Sequence, residues 1–141
     1  DAAGAGEFRG GTGVEYRARV EARADYAFRG EGQRTPSGYG VRGGDMGRAG
    51  MVDVRLESGE RFEAPQFGNG SLEPLTLHID SPAGGGWGEP FARDSAKVLR
   101  DFRDELISRT AAREVYGVVL SDDGREVCES ATVELRALRQ N

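Results

Sequence analysis

The sequence predicts an α+β fold. A β-rich first two-thirds, built as an antiparallel sheet or small barrel with long glycine-rich loops, is followed by short helices. Three observations predict it. All five Pro and all but two of the 22 Gly lie at or before Pro90, and these residues break regular elements and mark turns. Three segments before Pro90 alternate apolar and polar side chains, as a strand with one buried face requires. Beyond Phe91 the apolar residues recur at helical spacing instead. The composition thus divides at 1–90 and 91–141, within a length that suits one structural domain.

The first alternating run starts at Val14. Val14, Tyr16, Ala18, Val20, Ala22, Ala24, Tyr26 and Phe28 share one parity, and mostly charged residues hold the other. Its 15 residues exceed the usual strand, which predicts a bend, a bulge or two strands. The segment from Gly30 to Gly50 is loop-like; a loop of that length often carries a binding surface. Val52, Val54 and Leu56 alternate next, with a Ser58-Gly59 turn and Arg61-Phe62-Glu63 as the returning hairpin arm. The third run is Leu75, Leu77 and Ile79, opposite Thr76, His78 and Asp80.

The last third reads as helix. Asp94 or Ser95 can cap an N-terminus, and Val98, Leu99, Phe102 and Leu106 follow at helical spacing. Ser108 can cap a second short helix through Arg113. Tyr116 to Leu120 is a β-branched apolar run, read as a short strand or extended segment. Asp122-Asp123-Gly124 is a turn, and Ala131, Leu135 and Leu138 fit a final helix.

Charge and composition exclude several classes. A net charge of -5 argues against nucleic acid or an acidic membrane surface as partner. No run approaches the 18 or so apolar residues that span a bilayer. A lone cysteine, Cys128, allows no internal disulfide and fits a reducing cytoplasm. Basic residues are almost all arginine; Lys97 is the one lysine.

The chemistry-bearing residues are sparse. Gly84-Gly85-Gly86-Trp87-Gly88 invites a phosphate-loop reading, but it ends in Glu89-Pro90 and lacks the Lys and hydroxyl such loops supply. The better reading is a packing element where backbones approach closely and only Gly fits. Trp87 is then an anchor in a core or an interface. Arg9-Gly10-Gly11 and Arg42-Gly43-Gly44 are too few for an RNA-binding tail. One His and one Cys cannot make an internal zinc site. His78 could act as a base only with help from a partner, and Cys128 reads as a small buried or half-buried residue. The acidic groups Asp101, Asp104, Glu105, Asp122 and Asp123 read as solvated turn and helix-end charges. No nucleophile–base–orienter set emerges. The expectation is no catalytic, cofactor or metal residue in this chain.

The order of these motifs resembles the hydantoinase B/oxoprolinase family. Gly4 to Val14 is similar to its G-x-(Y/F)-R-G-G-x-G segment, and Gly40 to Gly50 to its G-G-x-x-G loop. Leu75 through Pro90 is similar to a strand followed by P-G-G-G-G-(Y/W)-G-D-P. Ala111-Ala112-Arg113 with Tyr116-Gly117-Val118-Val119 matches A-A-R-x-x-Y-G-V-V. The likeness runs from about Gly6 to Arg139. It departs at Ala83 for Gly, at Glu89 for Asp, and at Cys128-Glu129, where an Asp commonly precedes the last helix.

The resemblance implies the C-terminal portion of a much longer B-type chain. It implies a hetero-oligomer with a larger hydantoinase B-like chain and hydantoinase A-like subunits, in which ATP and a divalent metal would bind. Family members open cyclic amides or carboxylate ketones. The small subunit of acetophenone carboxylase is the most similar arrangement, with ketone and bicarbonate joined to a β-keto acid. The alternatives are a subunit of an ATP-dependent hydantoinase or oxoprolinase, and an independent module binding a small ligand or protein through the Gly30–Gly50 loop. Trp87, Phe91 and Tyr116, with Gly84, Gly85, Gly86 and Gly88, are the expected interface or packing residues.

Overall fold

The computed structural model describes residues 1–138; positions 139–141, including Arg139 and the end of the expected helical part, lie outside the described residues. The strands are β1 (Glu15–Val20), β2 (Ala24–Arg29), β3 (Met51–Leu56), β4 (Arg61–Phe62), β5 (Phe67–Leu72) and β6 (Leu75–Asp80). A single 3-10 turn at Pro90–Ala92 leads into α1 (Ser95–Arg103), α2 (Arg109–Glu114) and α3 (Glu129–Leu138). The expected α+β order, strands and then short helices, is what the chain adopts.

The sheets are antiparallel. One has four strands in the order β1-β6-β3-β4, and β2 pairs with β5 in a separate two-stranded ribbon. The long alternating run therefore splits into β1 and β2. In the four-stranded sheet Val54 faces both Leu77 and Phe62 across the ladder, and it is fully buried. The ribbon leans on this sheet through aromatic rings: Tyr26 and Phe28 lie 5.5 and 6.4 Å from Phe62.

β5 was not legible in the sequence. Its F-G-N-G-S-L carries two glycines, which strands normally avoid. The register supplies the reason. Gly70 stands opposite Tyr26 and Gly68 opposite Phe28, and a Cβ on Gly70 would approach the Tyr26 ring to about 3 Å. The Tyr26 ring occupies the space a side chain at position 70 would need, and Pro65 the space of one at position 68.

The hydrophobic core lies in the helical half. Val98, Ile107, Ala112, Tyr116, Val118 and Leu120 are buried together, and Ala5 of the N-terminal segment joins them. The segment is tied there: the Asp1 amine donates to the Leu106 carbonyl at 3.0 Å, and Ser108 N–H donates to the Asp1 carboxylate at 2.7 Å. Asp94 caps α1 by accepting from Ala96 and Lys97, and Ser108 caps α2 by accepting from Ala111.

The helical half adds local detail to these expectations. Tyr116 ends the turn after α2, Gly117 takes a φ of 63°, and residues 117–120 join no ladder beyond a bridge from Leu120 to Val127. Leu106 lies past the end of α1. The final helix forms with Ala131, Leu135 and Leu138 in it, as expected, and its buried residue is Thr132. α3 docks through polar groups: Val119 N–H donates to Thr132 Oγ1 at 3.0 Å, and Arg136 Nη2 donates to the Arg93 and Tyr116 carbonyls. Partial burial pulls the Arg136 pKa down, against the pull of Asp94 and Glu129.

Candidate functional site

The glycine tract 84–88 threads between two other glycine-rich stretches, residues 4–11 and 38–47. Gly84 N–H donates to the Gly11 carbonyl, Gly86 to Asp45, Trp87 to Phe8 and Gly88 to Val41, each at 2.9 Å. In return Gly4 donates to Gly84, Phe8 to Trp87 and Val41 to Gly86. These stretches form no regular sheet apart from single bridges at Phe8–Trp87 and Val41–Trp87. The layers are close enough that side chains are excluded. A Cβ on Gly86 would overlap the Ala5 carbonyl oxygen, and one on Gly85 the Tyr39 carbonyl oxygen. Gly84 is less confined, with Gly11 N 3.1 Å from the same position, and Gly88 takes a positive φ of 75°. The amides of Gly84, Gly86, Trp87 and Gly88 are thus committed to main-chain carbonyls rather than to a phosphate.

This glycine hub sets Trp87 at the surface, 40% exposed. Phe8 meets its ring edge-to-face at 5.5 Å, and the Arg42 guanidinium lies 5.5 Å from its centroid. Lys97, an exposed residue, holds its ammonium 5.7 Å from the Phe8 ring. Phe8 and Val41 are half exposed beside Trp87, so the three make one apolar platform with cations at its edge. The other two aromatic candidates lie inward. Tyr116 is 2% exposed in the helical core, where burial pushes its phenol pKa up. Phe91 packs on Gly117, whose φ is +63° and whose missing side chain leaves room for the ring.

A buried ion cluster joins the hub to the helices. Arg93 donates Nη2 and Nε to Asp101 Oδ2 at 2.8 and 3.2 Å. Arg9 donates Nε to the same oxygen and Nη2 to Oδ1, at 3.2 and 3.3 Å. Arg93 also reaches the Glu7 carbonyl, and Arg9 the Gly10 carbonyl. The Asp101 side chain is 5% exposed, so it is not the solvated helix charge the sequence implied. A signal existed: Asp101 stands three residues after Val98, on the face that α1 buries. Arg9, read as part of an isolated R-G-G element, is its partner.

A second polar group lies on the outer face of the four-stranded sheet. His78 Nε2 is 2.9 Å from Glu15 Oε1 and 3.5 Å from Asp80 Oδ1. These three residues could each offer one ligand atom to a metal. Arg17 and Arg48 already neutralise the two carboxylates. Nearby, Asp53 sits between Arg55 and Arg61 at 3.1 and 2.7 Å. Cys128 is half-buried and unpaired.

These carboxylates predict a modest loss of stability in acid, small because all three lie at the surface. The Arg17 hydrogen bond holds Glu15 below its ordinary 4.5. Partial burial raises Asp53, but Arg55 and Arg61 outweigh it and hold it below 3.8. The Ser121 hydroxyl does the same for Asp123. Depressed pKa values stabilise the fold above the unfolded-state values and lose that effect as pH falls through the folded ones. The melting temperature should therefore drop below a pH of about 4.5. Asp53→Asn should flatten that drop. Identical acid slopes for the two proteins would remove Asp53 from the account.

The hydantoinase B/oxoprolinase family model matches residues 1–90. The chain belongs to this family. Caprolactamase subunit beta of Pseudomonas jessenii is 36% identical over 97% of the chain, a span that takes in the 111–119 signature beyond the family match. The solved ATP-dependent caprolactamase of that organism superposes on 94% of the chain, with a TM-score of 0.62 and 30% identity. The nucleotide-free structure of acetone carboxylase superposes on 99%, with a TM-score of 0.68; its 21% identity marks a shared fold. The chain spans only about a quarter of each of these: 24%, 24% and 23%. No helix of the described residues is long and apolar enough to cross a membrane.

Proposed function

We propose that this chain is a non-catalytic structural portion of an ATP-dependent family enzyme. It works in a hetero-oligomer with the larger B-type chain and A-type ATP-binding subunits, which carry ATP and a divalent metal. The observation that carries this reading is the commitment of its polar groups. The amides of Gly84, Gly86, Trp87 and Gly88 close on carbonyls, and the most buried charges close on one another. The hub is a folding device that sets Trp87 outward, and Trp87 is the proposed contact with the larger chain. Phe91, Tyr116, Gly84, Gly85, Gly86 and Gly88 support it from within.

For the reaction, cyclic-amide opening is favoured, because the 36% likeness is to a caprolactamase. The second reading is ketone carboxylation of the acetophenone type, with bicarbonate and ATP; its support is the fold shared with acetone carboxylase. The test is to purify a tagged copy from its host, identify what accompanies it, and assay the assembly with ATP. Caprolactam and hydantoin probe the first reaction; acetophenone or acetone with bicarbonate probes the second. Turnover by the chain alone would sink the structural reading.

Trp87→Ala should weaken the assembly by about 1–2 kcal/mol or more, as loss of a buried aromatic anchor does. The chain's own stability should change little, since the ring is largely a surface group. A pull-down titration with a parallel melting curve checks both. Unchanged binding would move the interface elsewhere.

A further inference from the structure

The β half of the chain is not closed. A groove of about 540 Å³ lies between the four-stranded sheet and the ribbon. Its walls include Val20, Tyr26, Phe28, Leu72, Leu77 and Ile79. All six are only half-buried. Among the described strand residues Val54 alone is fully buried, whereas the helical half has a complete core. A sheet that presents an apolar face needs another layer against it. Three other cavities are lined largely by charged and polar side chains. Asp25, Arg29, Glu31 and Asp80 line the groove alongside the apolar walls, giving the apolar centre and polar edge of a protein interface.

The relatives identify the occupant. Chains about four times as long keep this fold over 94–99% of its length. The remaining three-quarters of such a chain is available to cover this piece, and the groove is its largest unclosed apolar surface among those described. We infer that the groove receives an apolar segment of the part of a family B-type chain lying outside this one. The inference rests on the subunit reading above and adds to the Trp87 contact a second docking surface on the β half.

The test is cysteine labelling in a Cys128→Ser background. Ala24→Cys places a thiol in the groove wall, and Arg125→Cys places one in an exposed turn of the helical half. Each is labelled with a maleimide in the chain alone and in the complex purified from its host. The expected result is labelling of Ala24→Cys slowed tenfold or more in the complex and Arg125→Cys unchanged. If a family chain co-purifies but Ala24→Cys labels at the same rate, the groove is not a docking surface, although the subunit reading and its Trp87 contact stand. If no family chain co-purifies, both fall. Protection of Ala24→Cys in the chain alone would mean a small apolar molecule or a second copy fills the groove, and would overturn the inference.

Discussion

Asp101→Ala should lower the unfolding free energy by about 3–5 kcal/mol. The change leaves the Arg93 and Arg9 guanidiniums, 8% and 15% exposed, without their carboxylate. Removing one partner from a buried ion pair costs more than the pair is worth, because the other charge stays desolvated. For a domain of this size the melting temperature should fall by roughly 10–20 °C. The effect should also reach beyond α1. Arg9 and Arg93 hold the Gly10 and Glu7 carbonyls, so the N-terminal segment should exchange its amide hydrogens faster. Asp104→Ala, three residues on and exposed, should stay within about 0.5 kcal/mol of the parent. Equal melting temperatures for the two variants would show that the arginines find other partners.

The second large effect belongs to the glycine hub. Gly86→Ala should cost at least about 3 kcal/mol, since the new methyl would overlap main-chain atoms that cannot rotate away. Backbone, unlike a side chain, has no alternative rotamer. The hub also offers an internal scale. Gly84→Ala meets its nearest atom at 3.1 Å and should cost about 1 kcal/mol. A Cβ on Gly11 meets nothing within 4 Å, so Gly11→Ala should be neutral or stabilise by about 0.4–1 kcal/mol through the unfolded chain. Urea unfolding of the three variants gives the order. If all three cost the same, the penalty arises from the backbone conformation of glycine and not from close approach.

Much of the fold was legible because its signals are local. Alternation over Val14–Phe28, Val52–Leu56 and Leu75–Ile79 marked four strands. Capping side chains marked the starts of α1 and α2. β5 was hidden because Gly70 answers the ring of Tyr26, 44 positions away and opposite it in the register. The surface platform was half legible. Trp87 stood out by its size and setting, but its neighbours Phe8 and Val41 come from stretches far along the chain. Tyr116 drew notice for the same reason as Trp87, and only packing sent it to the core.

The sequence by itself determined the class of fold, the division into strands and helices, and the tract where side chains are excluded. Periodicity, caps and glycine density are properties of neighbours along the chain. The tertiary structure alone decided what the charges do. Asp101 and Glu105 are both acidic groups on or beside α1, yet one is buried between two arginines and the other is exposed. The difference is set by Arg9, 92 residues away, and by the cost of leaving any buried charge unpaired. It decided too that the sheet and the ribbon leave a groove between them, with its apolar walls only half-buried.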